Sequence, residues 1–340
     1  VLLDIDRAQW EAALQRIRPE DRDVYFGPAF HAVHAAHGDG TPHASIVEDG
    51  AAQLLIPGLR QAIDGGGRRW DLQTCRTGCA GPLATDAADA SFLGSAWAAW
   101  AEAMAGAGAV AAFFRLHPLV GNERWLPRFA RVRDDRPTVA IDLTSGREHL
   151  WRTADSRHRN MVRKARRLGF TVAWNVGREA FEALYRQTMA RLESDDDLRF
   201  DAAFFDALWR LPEAELATVS RDGSLLAAAV FIWGPRYGHY FLAARQPESG
   251  NHLGNLLVDA AIDRAVERRL SYLYLGGGRT PEADDALLRF KRSIGGSLVP
   301  YRVACVPVND AAFAELVGAW TADAGRPPVW LLGYREPQAQ

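Results

Sequence analysis

Only two of the 40 basic Lys and Arg residues are lysines, Lys164 and Lys291. A compact ammonium can be tuned by burial, whereas a guanidinium stays charged, so a lysine kept in an arginine-rich chain is a candidate for chemistry. Lys291 lies in the stretch Ser271 to Tyr301, SYLYLGGGRTPEADDALLRFKRSIGGSLVPY. The run Tyr272-Leu273-Tyr274-Leu275 has the apolar, aromatic character of a buried strand. It ends on Gly276-Gly277-Gly278, where missing Cβ atoms allow close backbone approach to a ligand. Gly276, Gly277 and the following Arg279 are candidate substrate-binding residues. A helix is predicted over Ala286 to Ile294, carrying Phe290-Lys291 back to that strand end, before Gly295-Gly296 and a β-like run from Leu298 to Val303.

A second group could bind phosphate. The segment from His149 to Leu168 reads as a helix and holds Arg157, Arg159, Arg163, Lys164, Arg166 and Arg167 with no acid among them, then Gly169 as a C-cap. A helix end is satisfied by two or three late cations. Six point instead to a polyanion such as RNA or a nucleotide. Glu193 to Asp197 reads as a solvated loop that hides this patch in the net charge of −2. Metal chemistry has weaker support. Cys75 and Cys79 make half a site with no finger-like partner pair, and His31, His34 and His37 read as a wet helix face or cleft wall. No metal is expected.

The elements that must position these groups suggest two domains, for which 340 residues and 48% hydrophobic content suffice. The three cysteines form no disulfide framework and suit a reducing cytoplasm. No membrane span is expected, and the acidic start VLLDID lacks the basic character of a secretory leader. Helices are predicted over Ile5–Ile17 and Phe26–Ala36. Asp49-Gly50 and Asp222-Gly223 each signal a hairpin. In both halves a glycine-containing helix then leads to a strand: Gly94 before Val110–Leu116, and Gly254 before Leu270–Leu275. Aligning Gly94 with Gly254 brings Ala101 onto Ala261 and Phe113 onto Leu273 without a gap. The order implies an internal duplication of a hairpin, helix, strand unit. The tail reads as a helix, Asn309–Trp320, and a strand, Val329–Tyr334.

In RHRNMVRKARRLGF, Arg115 to Pro118 (RLHP), the YFLAA strand from Tyr240, NHLGNLLVDAAIDRA, LYLGGG and LLRFKRSIGG, the chain resembles the FemABX family of aminoacyl-tRNA-dependent peptidyltransferases, in its compact FemX-like form. The resemblance covers most of the chain. It implies an α/β (α+β) fold of two tandem GNAT-like domains with a ligand cleft between them: residues 1–145 with the segment 317–340 packing back on them, and residues 146–316. It implies transfer of an aminoacyl group from tRNA to an amine of a peptide, cell-wall precursor or small molecule, forming an amide. The ester is already activated, so aminoacyl-tRNA is the co-substrate and no cofactor is expected. Lys291 would support the oxyanion or the tRNA terminus, with Phe290 packed beside it. The loop Thr74–Pro82 keeps only Gly81-Pro82 of the aromatic-glycine loop many members carry, which leaves the acceptor open.

Several residues keep two readings. Tyr240 faces the ligand or is half-buried core. Asn255 donates to a ligand or caps a helix. His117 lines the first-domain cleft or is a structural histidine, since Pro118 fixes it as extended. Two other functions stay open. An acyl-CoA-dependent N-acyltransferase would hold the diphosphate of a CoA thioester at the segment Arg245 to Gly254 ahead of a helix, although its glycines are too far apart, Pro247 removes an N–H there and Glu248 adds negative charge. A non-catalytic RNA-binding protein would need the basic segment and not Lys291. The expected form is a cytoplasmic monomer.

Overall fold

Both Asp-Gly signals turn antiparallel hairpins, with one shifted by a residue. Strand β1 (Thr41–Asp49) pairs with β2 (Ala52–Ala62) through Gly50-Ala51, with Gly50 at φ +58°. The second turn is Asp222-Gly223 itself, at φ +50° and +77°. Two successive positive φ values match a type I′ turn, whose twist suits the flanking strands. The computed structural model describes residues 1–63, 66–192 and 198–337, so the Glu193–Asp197 run lies outside the described residues.

The chain divides into two compact units, Val1–Asp135 together with the chain from Tyr301 on, and Arg136–Pro300. Both division points fall inside strands, rather than near residues 145 and 316. The first unit opens with α1 (Arg7–Arg16) and α2 (Pro28–Ala36). After the hairpin come β3 (Trp70–Gln73), β4 (Leu83–Ala84), α3 (Ala90–Gly106) and β5 (Ala109–Arg115), with β5 parallel to β3. Strand β6 (Arg131–Asp142) leads into the second unit.

The expected helix from 149 to 168 is two helices, α4 (Arg147–Thr153) and α5 (Ser156–Arg167). The break falls where the Asp155 carboxylate accepts the Arg157 N–H at 2.6 Å and starts a new helix. There follow β7 (Ala173–Trp174), α6 (Arg178–Arg191), α7 (Ala202–Leu208), β8 (Ala214–Arg221), β9 (Ser224–Trp233), β10 (Tyr237–Arg245), α8 (Asn251–Glu267), β11 (Tyr272–Gly277) and α9 (Ala286–Ser293). Strand β12 (Ser297–Pro307) and α10 (Asp310–Ala324) are the last strand and α-helix among the described residues.

The second unit repeats the order of the first: an antiparallel hairpin, a further strand, a 17-residue helix and a strand parallel to the one before it. Its core is α8 and α5 packed on the sheet, with Leu253, Leu257 and Val162 against Val139, Ile141 and Phe231. In the first unit Phe313 of α10 and Leu332 bury against Val110 and Cys305. The expected strand Val329–Tyr334 is irregular. The Glu336 carboxylate accepts the N–H groups of Val329 and Trp330 at 2.6 and 2.7 Å, which takes them from any strand ladder. Among the described residues no helix is long and apolar enough to cross a membrane.

Candidate active site

Strands β10 and β11 run parallel but pair only from Tyr237–His239 to Tyr272–Tyr274. Beyond that point each shows a shift in register with its other neighbour, β10 between Tyr240 and Leu242, β11 between Tyr274 and Gly276. Such irregularities bend a strand and turn its side chains. The two strands therefore part at the glycine triplet, and α9 delivers Lys291 there.

Helix α9 is started by Asp285, whose carboxylate accepts the N–H groups of Leu287 and Leu288 at 2.8 and 2.9 Å. One turn of spacing sets Leu288 and Lys291 on its buried face. Lys291 is 7% exposed, and its ammonium donates to the Gly277 carbonyl at 2.7 Å. Nζ lies 5.8 Å from the centre of the Tyr240 ring. Burial lowers the Lys291 pKa to about 7, with Asp285 pulling the other way. Near neutral pH the group is thus present both as ammonium and as amine, which lets it give or take a proton.

The three glycines serve three ends. Gly276 has φ +74°, and a Cβ there would sit 3.4 Å from Nζ. A Cβ on Gly277 would meet Arg136 Cδ at 3.0 Å, and one on Gly278 would meet Asp285 Oδ1 at 2.4 Å. The last two are crowded by the protein's own atoms, whereas at Gly276 a Cβ would make an ordinary van der Waals contact. Phe290 is half-buried against the core, 3.8 Å from where a Gly254 Cβ would stand. Tyr240 is also half-buried, its ring centre 5.5 Å from that of Phe231, and burial pushes its phenol up to about 12. The Arg279 side chain is exposed.

Two candidates are occupied within the fold. Asn255 is buried inside α8 rather than at its N-cap; its amide donates to the Asn251 carbonyl at 2.9 Å and its oxygen contacts His158 Nδ1 at 2.7 Å. His117, in the first unit, is 1% exposed. Its Nδ1 accepts the Leu119 and Val120 N–H groups at 3.2 Å, which leaves the proton on Nε2 to face Asp23 at 3.0 Å. Of the three histidines read as a wet helix face or cleft wall, His37 is half-buried. His31 and His34 are fully buried, and His34 contacts Asp39 at 2.6 Å and Thr77 at 2.9 Å. Cys75 and Cys79 are buried too, and desolvation pushes both thiols up, Cys79 to about 12.

The six cations of α5 fall into two sets. Arg166 donates to the fully buried Asp259 at 2.8 Å, and Arg147 binds the same carboxylate at 2.5 Å. Arg159 donates to the Arg152 carbonyl at 2.9 Å and to that of Ala154, closing the end of α4. Arg157, Arg163, Lys164 and Arg167 are exposed, with Arg163 lying 5.6 Å from the Trp151 ring centre. This helix is tied to the lysine: the Asp155 N–H, at its N-cap, donates to the Ser293 carbonyl at 3.0 Å, two residues past Lys291. Sequence reasoning missed Asp285 and Asp259. The pattern Asp-Ala-Leu-Leu ahead of an apolar-periodic run is an N-cap signal that could have found the first; the second offers none.

Residues 153–292 match the family model described as an acetyltransferase (GNAT) domain. No curated protein is similar to the chain at a significant level. Among solved structures, FemX is similar with a TM-score of 0.67 and 14% identity, covering 92% of this chain and 98% of its own. The C-terminal domain of a putative lysylphosphatidylglycerol synthetase from Agrobacterium fabrum has a TM-score of 0.54 and 16% identity, over 93% and 98%. A tandem GNAT protein from the clavulanic acid biosynthesis pathway has a TM-score of 0.51 and 11% identity, over 91% and 98%. At such identities the likeness concerns the fold, an α/β architecture of GNAT-like units in tandem.

Proposed function

We propose that this GNAT-type transferase moves an aminoacyl group from aminoacyl-tRNA to an amine, forming an amide. The observation that carries this reading is the link between Lys291 and helix α5. The Asp155 to Ser293 hydrogen bond joins the start of the helix that exposes Arg157, Arg163, Lys164 and Arg167 to the turn that holds a buried lysine titrating near neutrality. Phosphates along Arg157, Arg163, Lys164 and Arg167 would lead a tRNA end toward the Gly276–Gly278 strand end.

The chemistry asks little beyond positioning and proton handling. The acceptor amine attacks the ester carbonyl, forming a C–N bond and a tetrahedral oxyanion. Collapse breaks the C–O bond to the ribose and expels its oxygen. The attacking amine must lose a proton and the leaving oxygen must gain one. Lys291 in its amine form takes the first, and as an ammonium it steadies the oxyanion and supplies the second. Tyr240 and Phe290 wall the site with apolar surface, which strengthens these interactions.

One feature favours a second reading, an acyl-CoA-dependent N-acyltransferase. Helix α8 begins after Gly250, at φ +77°, without a side-chain cap, which leaves its first N–H groups to a diphosphate. The two readings part in one experiment, in which the purified protein receives mixed aminoacyl-tRNAs or acetyl-CoA with candidate amines. Amide formation abolished by RNase supports the first; turnover of acetyl-CoA indifferent to RNase replaces it with the second.

A further inference from the structure

One carboxylate holds both ends of the loop that joins β11 to α9. Asp285 Oδ1 accepts the Leu287 and Leu288 N–H groups, and Oδ2 accepts the Thr280 N–H at 3.3 Å and its hydroxyl at 3.4 Å. Gly278 lies so close that any Cβ would stand 2.4 Å from Oδ1. The residue before Gly278 is Gly277, whose carbonyl receives the Lys291 ammonium. Gly277 itself is held in β11 by its pairing with Thr138 of β6, and Asp285 ties the loop just beyond it to the start of the helix that carries Lys291.

We infer that Asp285 is the positioning residue of this site, clamping the loop from Gly278 onward so that the Gly277 carbonyl and a fixed negative charge both act on Lys291. The inference rests on the reading of Lys291 as the proton carrier. Burial works against a charge on Asp285, but backbone N–H groups of Leu288, Thr280, Arg279 and Leu287 overcome it and hold the carboxyl below its usual range. It stays ionised wherever Lys291 titrates, and it favours the ammonium. The other elements around the amine bring no second carboxylate among the described residues. Strand β10 presents Tyr240, β6 presents Arg136 beside Gly277, α8 presents Gly254 toward Phe290, and Arg289 and Arg292 of α9 are exposed. Asp285 would thus keep the lysine from losing its proton altogether in an apolar site.

The two-lysine composition makes the test direct. Lysine labelled at Cε with ¹³C gives two side-chain signals by NMR, and Lys164→Arg leaves that of Lys291 alone. In the otherwise unchanged protein its midpoint is expected near pH 7. Asp285→Asn keeps an oxygen for the helix cap and removes the charge, so the midpoint moves to lower pH. Gly278→Ala keeps the charge and displaces it, and moves the midpoint the same way. Asp285→Ser, also a good cap, replaces Asp285→Asn should that variant fold poorly. A midpoint unchanged from the parent in a folded Asp285→Asn or Asp285→Ser protein reduces Asp285 to a helix cap and overturns the inference.

The NMR readout needs no substrate, so the two levels separate. A shifted midpoint in a protein with no RNase-sensitive transfer leaves the Asp285 assignment standing and removes the functional reading. Lysine-dependent transfer with an unshifted midpoint does the reverse. Where both hold, the acidic limb of the kcat profile moves with the NMR midpoint in Asp285→Asn, which a cap alone would not cause.

Discussion

Lys291 Nζ and the Gly277 carbonyl oxygen are 2.7 Å apart, joining the last turn of α9 to the end of β11 across fourteen residues of sequence. This is the only hydrogen bond the ammonium donates among the described residues, in a place where burial has already lowered its pKa to about 7. A buried lysine with one neutral acceptor stabilises the fold poorly. Under the proposed reaction its presence is accounted for by chemistry.

Replacing the amine should therefore cost turnover rather than binding. Lys291→Met is expected to lower kcat by about 100-fold or more, the usual scale for a lost general acid or base, with the KM for the acceptor within about threefold. Lys291→Arg should fail as well, since a guanidinium gives up no proton near neutral pH. Steady-state kinetics on both variants checks this.

The same substitution should stabilise the protein. Lys291 has a folded pKa near 7 and an ordinary value of 10.5. Below pH 7 both folded and unfolded chains carry the proton, and the full cost of burying the charge is present. Between pH 7 and about 10.5 the unfolded chain holds the proton that the folded chain has lost, so that cost fades as pH rises. Lys291→Met should thus raise Tm by about 2–4 °C at pH 6, equivalent to about 1 kcal/mol, and by less at pH 9. Thermal melts at the two pH values measure the difference.

The cations of α5 should separate into two classes. Alanine at Arg157, Lys164 or Arg167 is expected to weaken tRNA binding and to reduce the slope of log K against log salt by about 0.7–0.9 per site, with Tm unchanged. Arg166→Ala should instead destabilise the fold by about 1–3 kcal/mol, because Asp259 loses one of two cationic partners in a buried site. Filter binding over a salt series, beside melts, tells them apart.

Asn255 provides a control inside the same unit. Its amide joins α8 to His158 of α5, so Asn255→Ala should lower stability by about 1–3 kcal/mol and leave the acceptor KM within about twofold. A selective rise in KM would return Asn255 to the binding surface.

What could be read from the chain was local. The Asp-Gly turns, the Gly276–Gly278 strand end and the α9 segment each depend on residues within a few positions, and a lysine is conspicuous among arginines. Partners far apart in sequence were not legible. Arg166 meets Asp259 across 93 residues and His117 meets Asp23 across 94, so a cation stripe looked uniform and His117 kept two readings. The helix expected from 149 to 168 failed for a local reason that propensity underrates: Asp155 caps more strongly than the surrounding residues propagate.

Single-turnover transfer from one purified aminoacyl-tRNA, followed from pH 5.5 to 8.5 in the parent protein and in Lys291→Met, decides whether Lys291 carries the proton. Amide product sensitive to RNase is expected, with a rate that rises with pH through a midpoint near 7 in the parent, and a rate at least about 100-fold lower without that midpoint in Lys291→Met. Equal rates in the two proteins, or product formed from acetyl-CoA and not from aminoacyl-tRNA, would contradict it.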